Sequence, residues 1–201
     1  MKIICIGRNY AEHAKEMNAA VPTEPVFFLK PDTALIRDNQ PFYYPDFSKE
    51  IHHEVELVLK ISKAGKNIAP EFAHKYYEEI GIGIDFTARD IQANCKEKGL
   101  PWEKAKAFDG SAPIGNFIPK KELTDPIGFH LMVNGKMVQK GTTKDLLFSF
   151  DTVVAYVSQF FTLKTGDLIY TGTPEGVGPV QVGDQLDAYI GDRKLLSFEI
   201  R

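Results

Sequence analysis

With 201 residues, 43% of them hydrophobic and 25% charged, the chain has the make-up of an ordinary globular protein built on one core. Its formal net charge of −3 leaves no basic excess to neutralise a phosphate backbone, which argues against nucleic acid as a partner. Cys5 and Cys95 are too few for a disulfide framework and no apolar run approaches a membrane span, so a cytoplasmic protein with free thiols and no membrane partner is expected.

The first six residues, Met1 to Ile6, read as a short strand; the apolar run is too brief for a signal peptide. Asn9 with Glu12 three residues later resembles a capping box, which predicts a helix over 10–17 that Pro22 and Pro25 end. Residues 26–29 read as a strand ended by Lys30-Pro31, and 31–45 as a long loop or short hairpin. Residues 55–61 are a strand rich in Val, Leu and Ile. A helix is predicted over 71–77 after Pro70, then an apolar strand over 80–84 interrupted by Gly81 and Gly83. A second helix, 87–98, closes on Gly99 as its C-cap. Asn134-Gly135, between apolar runs at 131–133 and 137–138, signals a hairpin. Residues 150–161 form an amphipathic helix with Asp151 at its start, and strands at 168–170, 185–190 and 194–200 complete the chain. There is no internal repeat or linker, so a single domain over 1–201 without a separate N-terminal domain is expected. Strands outnumber helices without alternating with them, which disfavours a doubly wound sheet and predicts an α+β chain: a mixed β architecture decorated by a few helices.

Three acids stand out. Glu54 and Glu56 are two apart in a β-type run, so both point to one face, and Asp85 ends a second apolar run. Side-by-side carboxylates repel unless a cation lies between them, and hard oxygen ligands suit magnesium or manganese. The plain alternatives are a solvated edge strand for the glutamates and a helix-start aspartate for Asp85. Val58 follows the Glu pair on the same face, so the strand enters a core directly after its acids. Arg89 and Gln92, four and seven residues past Asp85, share a helix face near it and suit a carboxylate-bearing substrate. Thr171-Gly172-Thr173-Pro174 opens a loop whose hydroxyls and amides suit an oxyanion, or a plain interstrand loop. His13 and Glu16 are three apart on the first helix; a carboxylate holding one imidazole nitrogen raises the basicity of the other. A surface ion pair is the alternative. His52-His53 would suit zinc, but the neighbouring acids favour a harder ion. Nothing local separates Lys106 from Lys104.

Taken in order, Gly7-Arg8-Asn9-Tyr10, Phe28-Leu29-Lys30-Pro31, His53-Glu54-Val55-Glu56, Asp85-Phe86-Thr87-Ala88-Arg89-Asp90, Lys98-Gly99-Leu100-Pro101-Trp102 and Thr171-Gly172-Thr173-Pro174 resemble the fumarylacetoacetate hydrolase family, in its compact acylpyruvate hydrolase and oxaloacetate decarboxylase branch. The resemblance implies a mixed β-roll, a homodimer and a Mg2+ or Mn2+ ion held by Glu54, Glu56 and Asp85. It implies that Arg89, Gln92 and Thr173 contact substrate and that Lys106 polarises it. It further implies that His13 and Glu16 activate water from a helix acting as a lid. The implied activity is metal-dependent cleavage of a carbon–carbon bond in acylpyruvates or related 2-oxo acids, with oxaloacetate decarboxylation through the same enolate. An isomerase of unsaturated 2-oxo diacids is the runner-up, and a non-catalytic small-acid binder the reading outside enzymes.

Overall fold

The computed structural model describes residues 1–16 and 20–201. In chain order the elements are β1 (Ile3–Ile6), α1 (Ala11–Glu16), β2 (Phe27–Lys30), β3 (Leu35–Ile36), β4 (Ile51–His53), β5 (Val55–Ile61), α2 (Pro70–Ala73), β6 (Tyr77–Ile84), β7 (Thr87–Ala88), α3 (Arg89–Lys98), α4 (Glu103–Lys106), β8 (Ala112–Pro119), β9 (Gly128–Val133), β10 (Lys136–Thr142), α5 (Phe150–Phe160), β11 (Leu168–Tyr170), β12 (Gly178–Pro179), β13 (Gln185–Ile190) and β14 (Arg193–Glu199).

Among the described residues the strands form three sheets. The largest runs β2-β1-β11-β5-β6-β8-β3, the second β10-β9-β13-β14, and the smallest β12-β4-β7. The large sheet is mixed: β1 lies parallel to β11 and β3 to β8, while β5 is antiparallel to both its neighbours. This is the α+β, mixed β-roll architecture expected. No helix among the described residues is long and apolar enough to cross a membrane.

The core defines the setting of Glu56, the one acid on β5, which Glu54 precedes by two residues. Leu57 and Leu59 point into the main core, and Val58, on the opposite face, into a second apolar cluster with Ile3, Cys5 and Tyr170. With both faces covered, β5 sits at the centre of the sheet between β11 and β6, so Glu56 is no edge-strand charge. Solvation of an exposed edge is therefore excluded as the reason for its presence.

Several local expectations change in the fold. The helix predicted over 10–17 begins at Ala11, and its Met17 lies outside the described residues. Asn9 does not cap it. Its side chain donates to the carbonyls of Phe148 and Thr171 at 3.0 and 2.9 Å and accepts the Phe148 N–H at 2.7 Å. The helix predicted over 71–77 stops at Ala73, because Tyr77 pairs with Ile61 and opens β6. Thr87 and Ala88 are strand rather than helix, paired with His52 and Ile51, so α3 starts at Arg89. Strand β8 carries Pro113, Gly115 and Pro119, poor strand formers, and is held by pairing with β6 and β3. The hairpin holds: Asn134 and Gly135 adopt φ of 51° and 75°, the two positive values that a two-residue turn needs.

Candidate active site

Strand pairing brings the acids together. Val55 lies opposite Ile84 and Glu56 opposite Gly83, and the Asp85 N–H donates to the Glu54 carbonyl at 2.8 Å. One carboxylate oxygen from each of Glu54, Glu56 and Asp85 lies within 4.8 Å of the others, and all three side chains are buried. Asp85 therefore serves the cluster rather than a helix start.

Cations meet two of the three. Lys106, carried on α4, places its Nζ 2.8 Å from Glu54 Oε2 and 2.8 Å from Asp85 Oδ2. Lys104 is exposed, so tertiary packing separates the two lysines. Arg89 donates to Glu54 Oε1 at 2.6 Å and to Gln92 Oε1 at 2.8 Å. Lys30, the last residue of β2, is buried with Nζ 2.8 Å from Asp85 Oδ1. That contact is out of line for a hydrogen bond; Lys30 donates instead to the carbonyls of Ser111 at 2.8 Å and Phe86 at 3.2 Å. Asp85 Oδ1 is left without an aligned donor.

Electrostatics separate the glutamates. Burial works to raise the Glu54 pKa, but Lys106 and Arg89 overcome it and hold that carboxyl below the ordinary range. Burial likewise opposes the Lys106 ammonium, yet Asp85 and Glu54 hold its pKa above the ordinary lysine value. Glu56 pairs with no cation among the described residues; its acceptor contact is the Gly172 N–H at 2.7 Å. Burial, then Asp85 and Glu54, push its pKa well above the ordinary value. A buried carboxylate without counter-charge and an Asp85 oxygen without a donor, in a convergent all-oxygen set, are what a divalent ion would complete. The residues present fit Mg2+ or Mn2+, with Glu54, Glu56 and Asp85 as ligands.

The glycine-rich loop closes one side. Gly172 has φ of 99°, and a Cβ there would stand 2.7 Å from Asn9 Cβ, so only glycine lets its N–H reach Glu56. Thr173 is buried, and its hydroxyl accepts from Gln139 Nε2 at 2.9 Å. Gln139 also donates to the Pro174 carbonyl at 3.0 Å and accepts from the Val55 N–H at 3.0 Å and His53 Nδ1 at 2.9 Å. This residue ties the loop to β5; its polar character on a strand was the only trace of it in the sequence. His53 is thus a buried core histidine, its pKa lowered chiefly by burial. His52 faces Glu50 at 2.9 Å.

The His13–Glu16 pair forms as expected, Nδ1 to Oε2 at 3.1 Å, but His13 is buried rather than on the surface. Glu16 Oε1 also accepts the Gly176 N–H at 3.0 Å. His13, Glu54, Arg89, Gln92 and Lys106 line one cleft of about 30 Å³, roughly room for a water molecule. Larger cavities, about 420 Å³ beside Tyr77 and Asp151 and about 330 Å³ beside Arg37 and Lys60, touch none of the acids. Chemistry rather than volume marks the site.

Comparison with known proteins identifies the family. The profile of the fumarylacetoacetate (FAA) hydrolase C-terminal family matches residues 2–200. The chain is 43% identical over 201 residues to the mitochondrial oxaloacetate tautomerase of Mus musculus, covering 99% of this chain and 91% of the relative. It is 48% identical over 188 residues to an oxaloacetate tautomerase of Escherichia coli (strain K12), covering 92% and 86%. The crystal structure of fumarylpyruvate hydrolase from Pseudomonas aeruginosa, in complex with Mn2+ and pyruvate, superposes with a TM-score of 0.93 at 39% identity, covering 100% of this chain and 89% of that one. The chain belongs to the fumarylacetoacetate hydrolase family.

Proposed function

We propose that this chain is a divalent-metal-dependent enzyme that interconverts the keto and enol forms of oxaloacetate or a closely related 2-oxo acid. The observation that carries this reading is that His13, held by Glu16, lines one cleft with Glu54, a member of the buried three-carboxylate cluster. The tautomerase relatives, at 42–48% identity, favour this reaction over others that pass through the same enol.

Bound at Glu54, Glu56 and Asp85, the ion would supply Lewis-acid stabilisation of the negative charge that develops on the keto oxygen. The protein's own groups do the rest. Arg89, Gln92 and Lys106 present donors where the carboxylate and keto oxygens of a 2-oxo acid enter the cleft. Glu16 holds His13 through Nδ1, which leaves Nε2 to take a proton from the carbon next to the keto group and to return it. The charged Lys106 donates toward the keto oxygen as it gains charge. The closed cleft is smaller than any such substrate, so α1, which carries His13 and Glu16, must withdraw to admit it.

A second reading is hydrolysis of acylpyruvates, with oxaloacetate decarboxylation beside it. The same dyad suits activation of a water, and the structural relative with Mn2+ and pyruvate is a fumarylpyruvate hydrolase. The intact dyad argues against a mere binder of small acids. A homodimer remains part of the proposal on family likeness, and a cytoplasmic address on the two free cysteines.

The test is a substrate panel of enol oxaloacetate, acetylpyruvate and fumarylpyruvate with Mg2+, Mn2+ or chelator. Tautomerisation that exceeds the cleavage reactions and stops with chelator supports the first reading. The reverse order selects the second, and no turnover of any substrate would sink both.

A further inference from the structure

The wall of the cleft carries more positive charge than its acids absorb. Arg8, Arg89, Lys96 and Lys106 line it together with Glu54. Arg89 and Lys106 are engaged by Glu54 and Asp85. Arg8 and Lys96 form no ion pair among the described residues, and the remaining three residues, Met17, Asn18 and Ala19, include no acid. In a chain of net charge −3 this local excess stands out.

The placement is directional. Arg89, Gln92 and Lys96 stand at i, i+3 and i+7 on α3 and so share one face. Arg89 and Gln92 lie at the acid end. Lys96 is four residues past Gln92, about 6 Å further along the helix axis at ~1.5 Å per residue. That is close to the span between the two carboxylates of a short diacid. Lys96 Nζ rests 5.8 Å from the centre of the Trp102 ring, another residue of the cleft wall. Arg8 lines the same cleft from the segment between β1 and α1. The pKa of Lys96 is lowered, by desolvation first and then by Arg89 and Arg8, which outweigh the opposing pull of Glu54.

We infer that Arg8 and Lys96 form a second anion-binding position at the cleft mouth, which selects 2-oxo acids bearing a distal carboxylate over those ending in an alkyl group. This rests on the 2-oxo acid reading above. It gives Arg8 and Lys96 a specificity role toward the distal carboxylate. Because Arg8 adjoins α1, the distal carboxylate would also draw the segment carrying His13 toward the closed position.

The test is calorimetric binding of 2-oxoglutarate and 2-oxopentanoate, five-carbon 2-oxo acids that differ in the distal carboxylate, to the Mn2+-loaded protein. The wild type is expected to favour the diacid by about ten-fold, the worth of one charge-assisted contact at a half-open site. Lys96→Met combined with Arg8→Met is expected to abolish that preference by weakening the diacid alone, while Lys96→Arg keeps it. Manganese affinity measured on the same samples shows whether the acid cluster is intact. An undiminished preference in the double variant, or equal weakening of both ligands, overturns the inference and leaves the 2-oxo acid reading standing. If neither ligand binds the manganese-loaded wild type, this inference fails, and the 2-oxo acid reading is decided by the substrate panel above.

Discussion

Glu16 Oε1 accepts the Gly176 backbone N–H at 3.0 Å, while Oε2 of the same carboxylate holds His13 Nδ1 at 3.1 Å. One side chain therefore orients the His13 imidazole and also fastens α1 to the glycine-rich loop that donates to Glu56. In the proposed mechanism, closing the cleft and preparing His13 become a single event.

Removal of that side chain separates the reactions that need a base from the one that does not. Glu16→Ala is expected to lower acylpyruvate hydrolysis and tautomerisation by about 10²–10⁴-fold, the usual worth of a positioned general base. Oxaloacetate decarboxylation, which needs no activated water, should fall far less. Steady-state rates on the same preparation check this; equal losses in all three reactions would contradict the assigned role.

Metal binding should depend on pH through Glu56. Its pKa in the folded chain lies above the ordinary value of 4.5. Its stabilising contribution is thus complete below that value and is lost as pH rises through the folded-state pKa. Metal-free protein should lose stability over this window, and Mg2+ or Mn2+ should restore it, displacing the proton. The metal-induced rise in Tm should grow with pH, and ligand at a hundred times Kd should contribute about 2.7 kcal/mol. Glu56→Gln keeps an acceptor for Gly172 without the charge, so it should abolish the metal effect and flatten the metal-free decline. A metal shift that is independent of pH in the wild type would refute this account.

Lys106→Met leaves Glu54 and Asp85 buried without their shared ammonium. Breaking a buried charge pair on one side costs about 3–5 kcal/mol. Urea unfolding should show a loss of that order without metal, reduced when Mn2+ is present because the ion supplies replacement charge. Lys104→Met, on the exposed lysine of the same helix, should stay within about 0.5 kcal/mol of wild type. Similar losses for the two variants would show that the assignment of Lys106 is wrong.

Gln139→Leu tests the link between the loop and β5. It strands the Val55 N–H and the Pro174 carbonyl, and leaves His53 and Thr173 without a partner. At ~1–3 kcal/mol for each buried polar group left unsatisfied, a loss of roughly 3 kcal/mol or more is expected. The Gly172 contact to Glu56 should loosen with it, so metal affinity should fall although no ligand has changed. Titration with Mn2+ reads that coupling, and unchanged affinity would separate the loop from the acid cluster.

Local chemistry was legible wherever neighbours along the chain decide the outcome. The Asn134-Gly135 hairpin follows from the need for two positive φ values, and His13 meets Glu16 because helical residues three apart are adjacent. Alternation along 55–61 correctly divided Leu57 and Leu59 from Glu56 and Val58. Asn9 shows the limit. Its position matches a helix cap, yet its amide is committed to backbone groups of Phe148 and the buried Thr171, more than a hundred residues away.

The amino-acid order by itself therefore determined the alternation, the turns, the dyad and the presence of three well-spaced acids. Folding decided what those acids mean. The β5–β6 register sets Asp85 beside Glu54, the packing of the short helix α4 brings Lys106 and not Lys104 between them, and Lys30 and Gln139 gain their roles only when distant strands close over them. The physical reason is desolvation: a carboxylate's partner and pKa depend on which groups share its burial, and long-range pairing rather than sequence spacing selects those groups.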